Sequence, residues 1–160
     1  DVMSAHNIYD IAPIGALIRY TDHKPKPPAR FTKKLAAWQS GNGVGRLVRK
    51  QPPRDRATYI APASITLHEG NFESGSVILV TVMRTHSVDS DLRFEIAERP
   101  KIGMVRVLNR IGDDEELLYL ADNREAAELW LAKAGYHHAR LKEITADEVG
   151  ADVVEGRAAA

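Results

Sequence analysis

The chain has 160 residues, 44% of them hydrophobic and 28% charged, which is long and apolar enough for one globular domain with its own core. It has no cysteine, so disulfide bonds, thiolate nucleophiles and zinc sites with sulfur ligands are excluded. The amino-terminal residues show no secretory signal pattern, and no apolar run approaches the roughly 20 residues that cross a bilayer. We therefore expect a cytoplasmic protein that does not enter membranes.

The charged residues are unevenly distributed, although the formal net charge is zero. Residues 1–60 contain eleven lysine and arginine residues against four acidic residues, whereas residues 61–160 contain eleven against eighteen. A chain divided in this way is expected to present two faces of opposite charge, or to meet two different partners.

The first elements predicted along the chain are a strand at 14–21 and a helix that follows a proline-containing loop. In this helix Phe31, Leu35 and Trp38 stand at positions i, i+4 and i+7, so they share one face and are expected to be core anchors. Gly41 is expected to end the helix, because glycine readily takes the left-handed conformation that follows a helix.

The middle of the chain alternates short apolar segments with turn residues, which is typical of an antiparallel meander. Residues 92–96 show the clearest pattern, because apolar and charged side chains alternate there without a break. One side of that strand is therefore expected to face solvent. The predicted strands are residues 44–50, 64–69, 76–86, 92–98, 104–109 and 116–121.

A second helix is predicted after these strands. Asp122 is expected to cap its amino terminus together with Glu125, and Gly135 is expected to end it. A last strand is predicted at 139–144. The stripe of the helix that is expected to be buried consists of Ala126, Leu129, Trp130 and Ala134.

These elements predict an α+β fold, because runs of strands rather than strict strand–helix alternation favour that class. We expect a largely antiparallel sheet, a meander of about five to seven strands, with the two main helices packed on one face. Residues 1–150 are expected to form a single domain. Residues 151–160 are expected to form a frayed tail, because they have too few bulky side chains to stay packed.

The basic segment between residues 24 and 56 is the first candidate site. It contains ten lysine and arginine residues and one acid, Asp55, and such a cluster is expected where a protein contacts phosphates. Arg46 and Lys50 have the same parity on a predicted strand, so both are expected to face one ligand. The candidate nucleic-acid-binding residues are Lys33, Lys34, Arg46, Arg49, Lys50, Arg54 and Arg56.

One other feature of this segment favours a solvated basic surface, and another argues against a phosphate loop. Phe31 and Trp38 are assigned to the core, so the exposed aromatic residues that stack on RNA bases are absent from the prediction. The glycine-rich stretch GNGVG, residues 41–45, lacks the order that a phosphate loop needs, because a helix precedes it and a strand follows it. We expect it to be a helix stop joined to a tight turn.

A weak candidate metal site lies in one predicted turn, which contains His86, Asp89 and Asp91. His68 and Glu69 end a strand that could neighbour this turn, and imidazole with carboxylate suits several divalent cations. The spacing is not a specific ligand pattern, since aspartate is common in turns for backbone reasons. No metal or other cofactor is therefore predicted.

Three classes of function remain open. The favoured hypothesis is a non-catalytic accessory or regulatory protein that binds nucleic acid or another polyanion through the basic segment, so we do not expect an enzyme. The first alternative is a protein-interaction or self-associating module that uses a sheet edge and opposed charged faces, with the acidic run 113–116 docking a basic partner or a second copy. The second is a metal-dependent hydrolase or nuclease near His86, Asp89 and Asp91.

Overall fold

The computed structural model describes residues 1–74 and 77–149, so the predicted tail at 151–160 lies outside it. The predicted α+β class with an antiparallel sheet is confirmed. Within the described residues the helices of seven residues or more are α1 (Ala5–Ile11), α2 (Thr32–Ser40) and α3 (Arg124–Ala134). The strands there are β1 (Leu17–Thr21), β2 (Gly43–Gln51), β3 (Arg54–Asp55), β4 (Ile60–Ala61), β5 (Ser64–Ser74), β6 (Val77–Ser87), β7 (Arg93–Glu98), β8 (Val105–Ile111), β9 (Asp114–Ala121) and β10 (Arg140–Glu143).

The main sheet has five antiparallel strands in the order β6-β5-β2-β1-β7. It is not a simple meander, because β7 pairs with β1 at the far end from its chain neighbour β6. We call the face that is packed against α1 the inner face and the opposite face the outer face. The largest fully buried side chains of the inner face are Ile18, Tyr20, Leu47, Ile65, Leu67 and Phe94.

Helix α1 covers the inner face, although no helix was predicted in this segment. Ser4 caps the helix, since its hydroxyl accepts a hydrogen bond from the Asn7 N–H at 3.2 Å. Ala5, Ile8 and Ala12 are fully buried against the sheet. With one bulky side chain among these three, the segment has no apolar stripe long enough to indicate a helix from sequence.

The smaller sheet has the order β10-β8-β9 and packs against α3. Asn123, and not the predicted Asp122, caps α3, because its side chain accepts a backbone N–H at 2.8 Å. Ala127 is fully buried on this helix, whereas Leu129 is 58% exposed, so the predicted buried stripe was placed too far round the helix. Gly135 ends α3 in the left-handed conformation, as predicted.

The two sheets meet where β2 packs against β9. Val48 is the extra residue of a β-bulge in β2, and it is buried with Leu108 and Leu117 of the smaller sheet. Beside this apolar cluster, Arg49 Nη2 donates to Asp114 Oδ2 at 3.0 Å, and both side chains are largely buried. One apolar cluster and one ion pair therefore join the sheets at this point.

Helix α2 forms where the sequence predicts it, but it does not belong to the core. None of its residues is buried, and Phe31 at its start is 41% exposed. Strand β1 pairs directly with β2 up to Tyr20 and Gly43, so the segment between them projects from that end of these two strands. The prediction that both main helices pack on one sheet face is therefore wrong, because α3 covers the smaller sheet and α2 is an exposed helix.

Candidate nucleic-acid interface

The segment that joins β1 to β2, residues 22–42, projects from the end of the main sheet, and we call it the arm. It leaves β1 as an irregular proline-containing stretch and returns to β2 as helix α2. It contains five cations against one acid, Asp22. The five cations are Lys24, Lys26, Arg30, Lys33 and Lys34.

Asn42 closes the base of the arm. Its Oδ1 accepts a hydrogen bond from the Thr21 hydroxyl at 2.7 Å, and its Nδ2 donates to Asp22 Oδ1 and to the Trp38 carbonyl, each at 2.8 Å. The hydrogen bond from Asn42, followed by the one from the Lys24 N–H, holds the pKa of Asp22 below its usual range. The one acid of the arm is therefore ionised and engaged in holding the base together.

Trp38 fixes the helix of the arm against its outgoing stretch. Its indole Nε1 donates to the Lys24 carbonyl at 2.8 Å, and the Lys26 ammonium lies 5.6 Å from the centre of its ring. This support matters because a helix of nine residues without a side-chain cap is marginal in water by itself. The arm therefore presents its cations from a hydrogen-bonded frame.

Phe31 lies among cations on the exposed part of the arm. The Arg30 guanidinium is 4.8 Å and the Lys34 ammonium 5.2 Å from the centre of its ring. The prediction that Phe31 and Trp38 are core anchors is therefore wrong. Among residues 1–74 and 77–149, no acidic side chain forms an ion pair with any of the five arm cations, so the exposed Phe31 ring, the half-buried Trp38 ring and unpaired positive charge occur together here.

The predicted cations of the strands are largely engaged within the protein. Arg46 Nη1 donates to the Gly15 carbonyl at 2.7 Å. Arg49 and Arg54 both contact Asp114, at 3.0 Å and 3.5 Å. The acidic run 113–116, predicted to dock a basic partner, thus contacts the basic segment of its own chain through Asp114.

The bulge in β2 separates two cations that were predicted to share a face. Arg46 pairs with His68 on β5, whereas Lys50 pairs with Ile65, which is buried on the inner face. Val48 is the additional residue that reverses the parity between them. Within the described residues, the predicted candidates that are exposed and have no acidic partner are Lys33, Lys34 and Arg56.

A polar cluster lies on the inner face beneath the base of the arm. The Tyr20 hydroxyl donates to Glu69 Oε1 at 2.8 Å, and Arg84 Nε lies 3.0 Å from Glu69 Oε2. Burial and the hydrogen bond to Glu69 raise the pKa of Tyr20, while burial and then Arg84 lower the pKa of His86. The neutral His86 ring packs 4.6 Å from Tyr20, and a Cβ at Gly43 would lie 2.6 Å from the Tyr20 hydroxyl.

Comparison with known proteins places this chain in a family but gives no activity. Residues 3–148 match the family described as Uncharacterised conserved protein UCP036055. The chain belongs to this family. The comparisons with curated proteins and with solved structures give no match. Function must therefore be inferred from the geometry of the residues.

The structure does not assemble the predicted metal ligands. His86 points to the inner face, whereas Asp89 and Asp91 are exposed in the turn that follows β6. His68 pairs with Met83 and so lies on the outer face, away from His86. No three His, Asp or Glu side chains in the described part of the chain are grouped closely enough to hold a metal ion. In that same part, no helix has both the length and the apolar character to cross a membrane.

Proposed function

We propose that this chain is a non-catalytic accessory or regulatory protein that binds nucleic acid through the arm, and that it acts in the cytoplasm. The observation that supports this most strongly is that the arm carries five cations without acidic partners in the described residues, and that three of them, Lys26, Arg30 and Lys34, lie over its two aromatic rings. Each phosphate that such a cation neutralises releases counterions, which is the main source of affinity for nucleic acid.

The exposed ring of Phe31 favours single-stranded nucleic acid over a duplex. Bases of a single strand are free to stack on aromatic side chains, while a duplex offers mainly its phosphates to a basic helix. Phe31 is 41% exposed, and its cation neighbours Arg30 and Lys34 lie where they could contact the phosphates that flank a stacked base. The arm therefore supplies both components of a sequence-tolerant single-strand site.

This function is tested by fluorescence anisotropy with labelled single-stranded and double-stranded DNA and RNA. Unlabelled polyphosphate serves as the competitor. We expect single strands to bind more tightly than duplexes, and Lys33→Glu with Lys34→Glu to abolish binding. Arg124→Glu with Lys133→Glu, an equal charge reversal on the exposed surface of α3, should leave binding nearly unchanged. If both double variants lose the same affinity, the loss reflects the change in net charge alone, and the arm is not a binding site.

Phe31 provides a separate test of base stacking. Phe31→Ala should weaken single-strand binding by about 1–3 kcal/mol, or roughly 5-fold to 150-fold, and leave duplex binding nearly unchanged. Phe31→Tyr should retain the affinity, because it keeps an aromatic face. A Phe31→Ala protein that binds single strands as well as the wild type would limit the arm to phosphate contacts.

A further inference from the structure

A groove of about 720 Å³ separates the outer face of the main sheet from strand β9. Arg46, His68 and Met83 contribute from the main sheet, and the consecutive residues 116–120 contribute from β9. This volume lies within the range of about 300–1,000 Å³ that is usual for ligand sites. None of the residues that line the groove belongs to the arm, so it is a separate surface.

The edge of β9 faces this groove. The groove takes side chains from both faces of β9, because Leu117 packs with Val48 of the main sheet and Tyr119 stacks on Trp130 of α3, so it runs along the outward edge of the strand. Leu118 is the extra residue of a β-bulge in this stretch, since Leu117 pairs with Leu108 and Tyr119 with Val107. Strand β9 is the terminal strand of the smaller sheet and pairs only with β8 among the described strands. Its outward N–H and C=O groups on the two sides of the bulge at Leu118 have no partner strand among the described residues, so they can pair with an added strand.

A stack of three aromatic rings forms one wall of the groove. Tyr119 and Trp130 are 5.1 Å apart and inclined by 6°, and Trp130 and Tyr136 are 6.0 Å apart and inclined by 9°. Tyr119 and Tyr136 remain 40% and 44% exposed, so the stack is open to a ligand. Aromatic faces of this kind attract Lys and Arg side chains through their ring quadrupoles.

The charge of the groove also favours a cationic ligand. Its acids are Glu98, Glu116 and Asp122, and none of them forms an ion pair or a side-chain hydrogen bond within residues 1–74 and 77–149. Against these three carboxylates stands one arginine, Arg46, whose Nη1 already donates to the Gly15 carbonyl. An incoming strand with Lys or Arg side chains would complement both the carboxylates and the rings.

We propose that this groove binds an extended basic peptide segment of a protein partner, which adds as a strand to the edge of β9. The five residues 116–120 offer an edge of roughly 17 Å. A second copy of β9 is a poorer occupant, because it would add its own Glu116 and Asp122 to a groove that already holds three carboxylates. The arm of a second copy is also unsuited, because its basic residues lie on a proline-containing stretch and on a helix.

A labelled peptide of about eight residues that alternates lysine and valine tests this proposal, with a glutamate–valine peptide as its matched control. We expect the basic peptide to bind at least tenfold more tightly than the acidic one. In isotope-labelled protein it should shift the backbone amide signals of residues 116–120. If both peptides bind equally, or if the shifts fall elsewhere, the proposed site is refuted.

Charge reversal in the groove provides the second arm of the test. Glu116→Lys with Asp122→Lys should weaken binding of the basic peptide at least tenfold, whereas Asp89→Lys with Asp91→Lys on an exposed turn should change it less than twofold. Glu116→Gln with Asp122→Asn replaces the first variant if that protein does not fold. Lys33→Glu with Lys34→Glu should leave peptide binding intact, so failure of the arm proposal and failure of this one are distinguishable.

Discussion

Replacement of two arm cations should change the salt dependence of nucleic-acid binding by a calculable amount. If all five arm cations contact phosphates of a single strand, the slope of log K against log salt is about −3.5, because each contact contributes about −0.7. Between about 50 and 200 mM salt the affinity of the wild type then falls about 100-fold. Lys33→Gln with Lys34→Gln leaves three contacts, a slope of about −2.1 and a fall of about 20-fold.

Anisotropy titrations of one labelled single strand over a series of salt concentrations measure both slopes. Glutamine is used instead of glutamate because it removes the contacts without adding repulsion. Lys33 and Lys34 are exposed and have no acidic partner in the described residues, so the variant should unfold at the wild-type temperature. Arg124→Gln with Lys133→Gln on α3 is the matched control, and its slope should equal that of the wild type.

The result that would refute the reasoning is a common slope for all three proteins. Binding would then depend on charge outside the arm, and the unpaired cations would serve only as a solvated surface. A wild-type slope shallower than about −1 would equally contradict the proposal, because it corresponds to about one phosphate contact.

Three further predictions concern the framework that supports the arm and joins the sheets. Gly43→Ala should lower the free energy of unfolding by about 1–3 kcal/mol, because the added Cβ would lie 2.6 Å from a buried tyrosine hydroxyl. Gly70→Ala is the control, because a Cβ there meets no atom within 4 Å. Urea titration measures the free energy of unfolding of both variants. The folded-state pKa of His86 is lowered from 6.5, so near and below that pH the unfolded chain binds more protons than the folded chain, and acidification lowers the free energy of unfolding. This histidine contributes a slope of at most about 1.4 kcal/mol per pH unit. His86→Phe removes that slope, so its melting temperature should depend less on pH than that of the wild type between about pH 5.5 and 7.5. Asp114→Ala should cost about 3 kcal/mol in the same urea assay, because it leaves Arg49 largely buried without its acid, and a loss below about 1 kcal/mol would contradict this role.

The strands of both sheets were predictable because their side chains alternate or form short apolar runs between turn residues. All six predicted central strands occur, with ends displaced by a few residues. Helix α1 was not predictable in the same way. Ala5 of this helix and Ala12 directly after it are fully buried against the sheet, but small side chains give almost no signal in an apolar pattern.

The error on α2 has a different physical origin. The spacing of Phe31, Leu35 and Trp38 correctly places them on one side of a helix, but spacing does not show what lies opposite that side. Here the arm leaves the sheet after β1 pairs with β2, and the rest of the described chain buries no residue of the helix. The assumption that aromatic residues on a helix belong to the core led to the wrong prediction for Phe31 and Trp38. Neither ring is buried, and this supports the nucleic-acid proposal.

The candidate cations of β2 were also beyond prediction, because a single inserted residue decides where they point. Val48 adds one position to β2, and every residue after it changes face relative to a regular strand. Arg46 and Lys50 therefore diverge. The sequence does not indicate this bulge, because Val48 is an ordinary strand residue. We attribute the bulge to packing against the smaller sheet, where Val48 is buried with Leu108 and Leu117.

The chain has equal numbers of basic and acidic residues, but contacts in the fold pair these charges in some places and leave them unpaired in others. Arg49 and Arg54 meet Asp114 at the joint between the sheets, so part of the basic segment and part of the acidic run neutralise each other inside the protein. In the described residues, the lysine and arginine side chains of the arm form no ion pair with an acid. The groove acids Glu98, Glu116 and Asp122 form no ion pair with a basic residue there. The two surfaces share no residue, so a polyanion on one and a basic strand on the other could be held by one molecule at the same time.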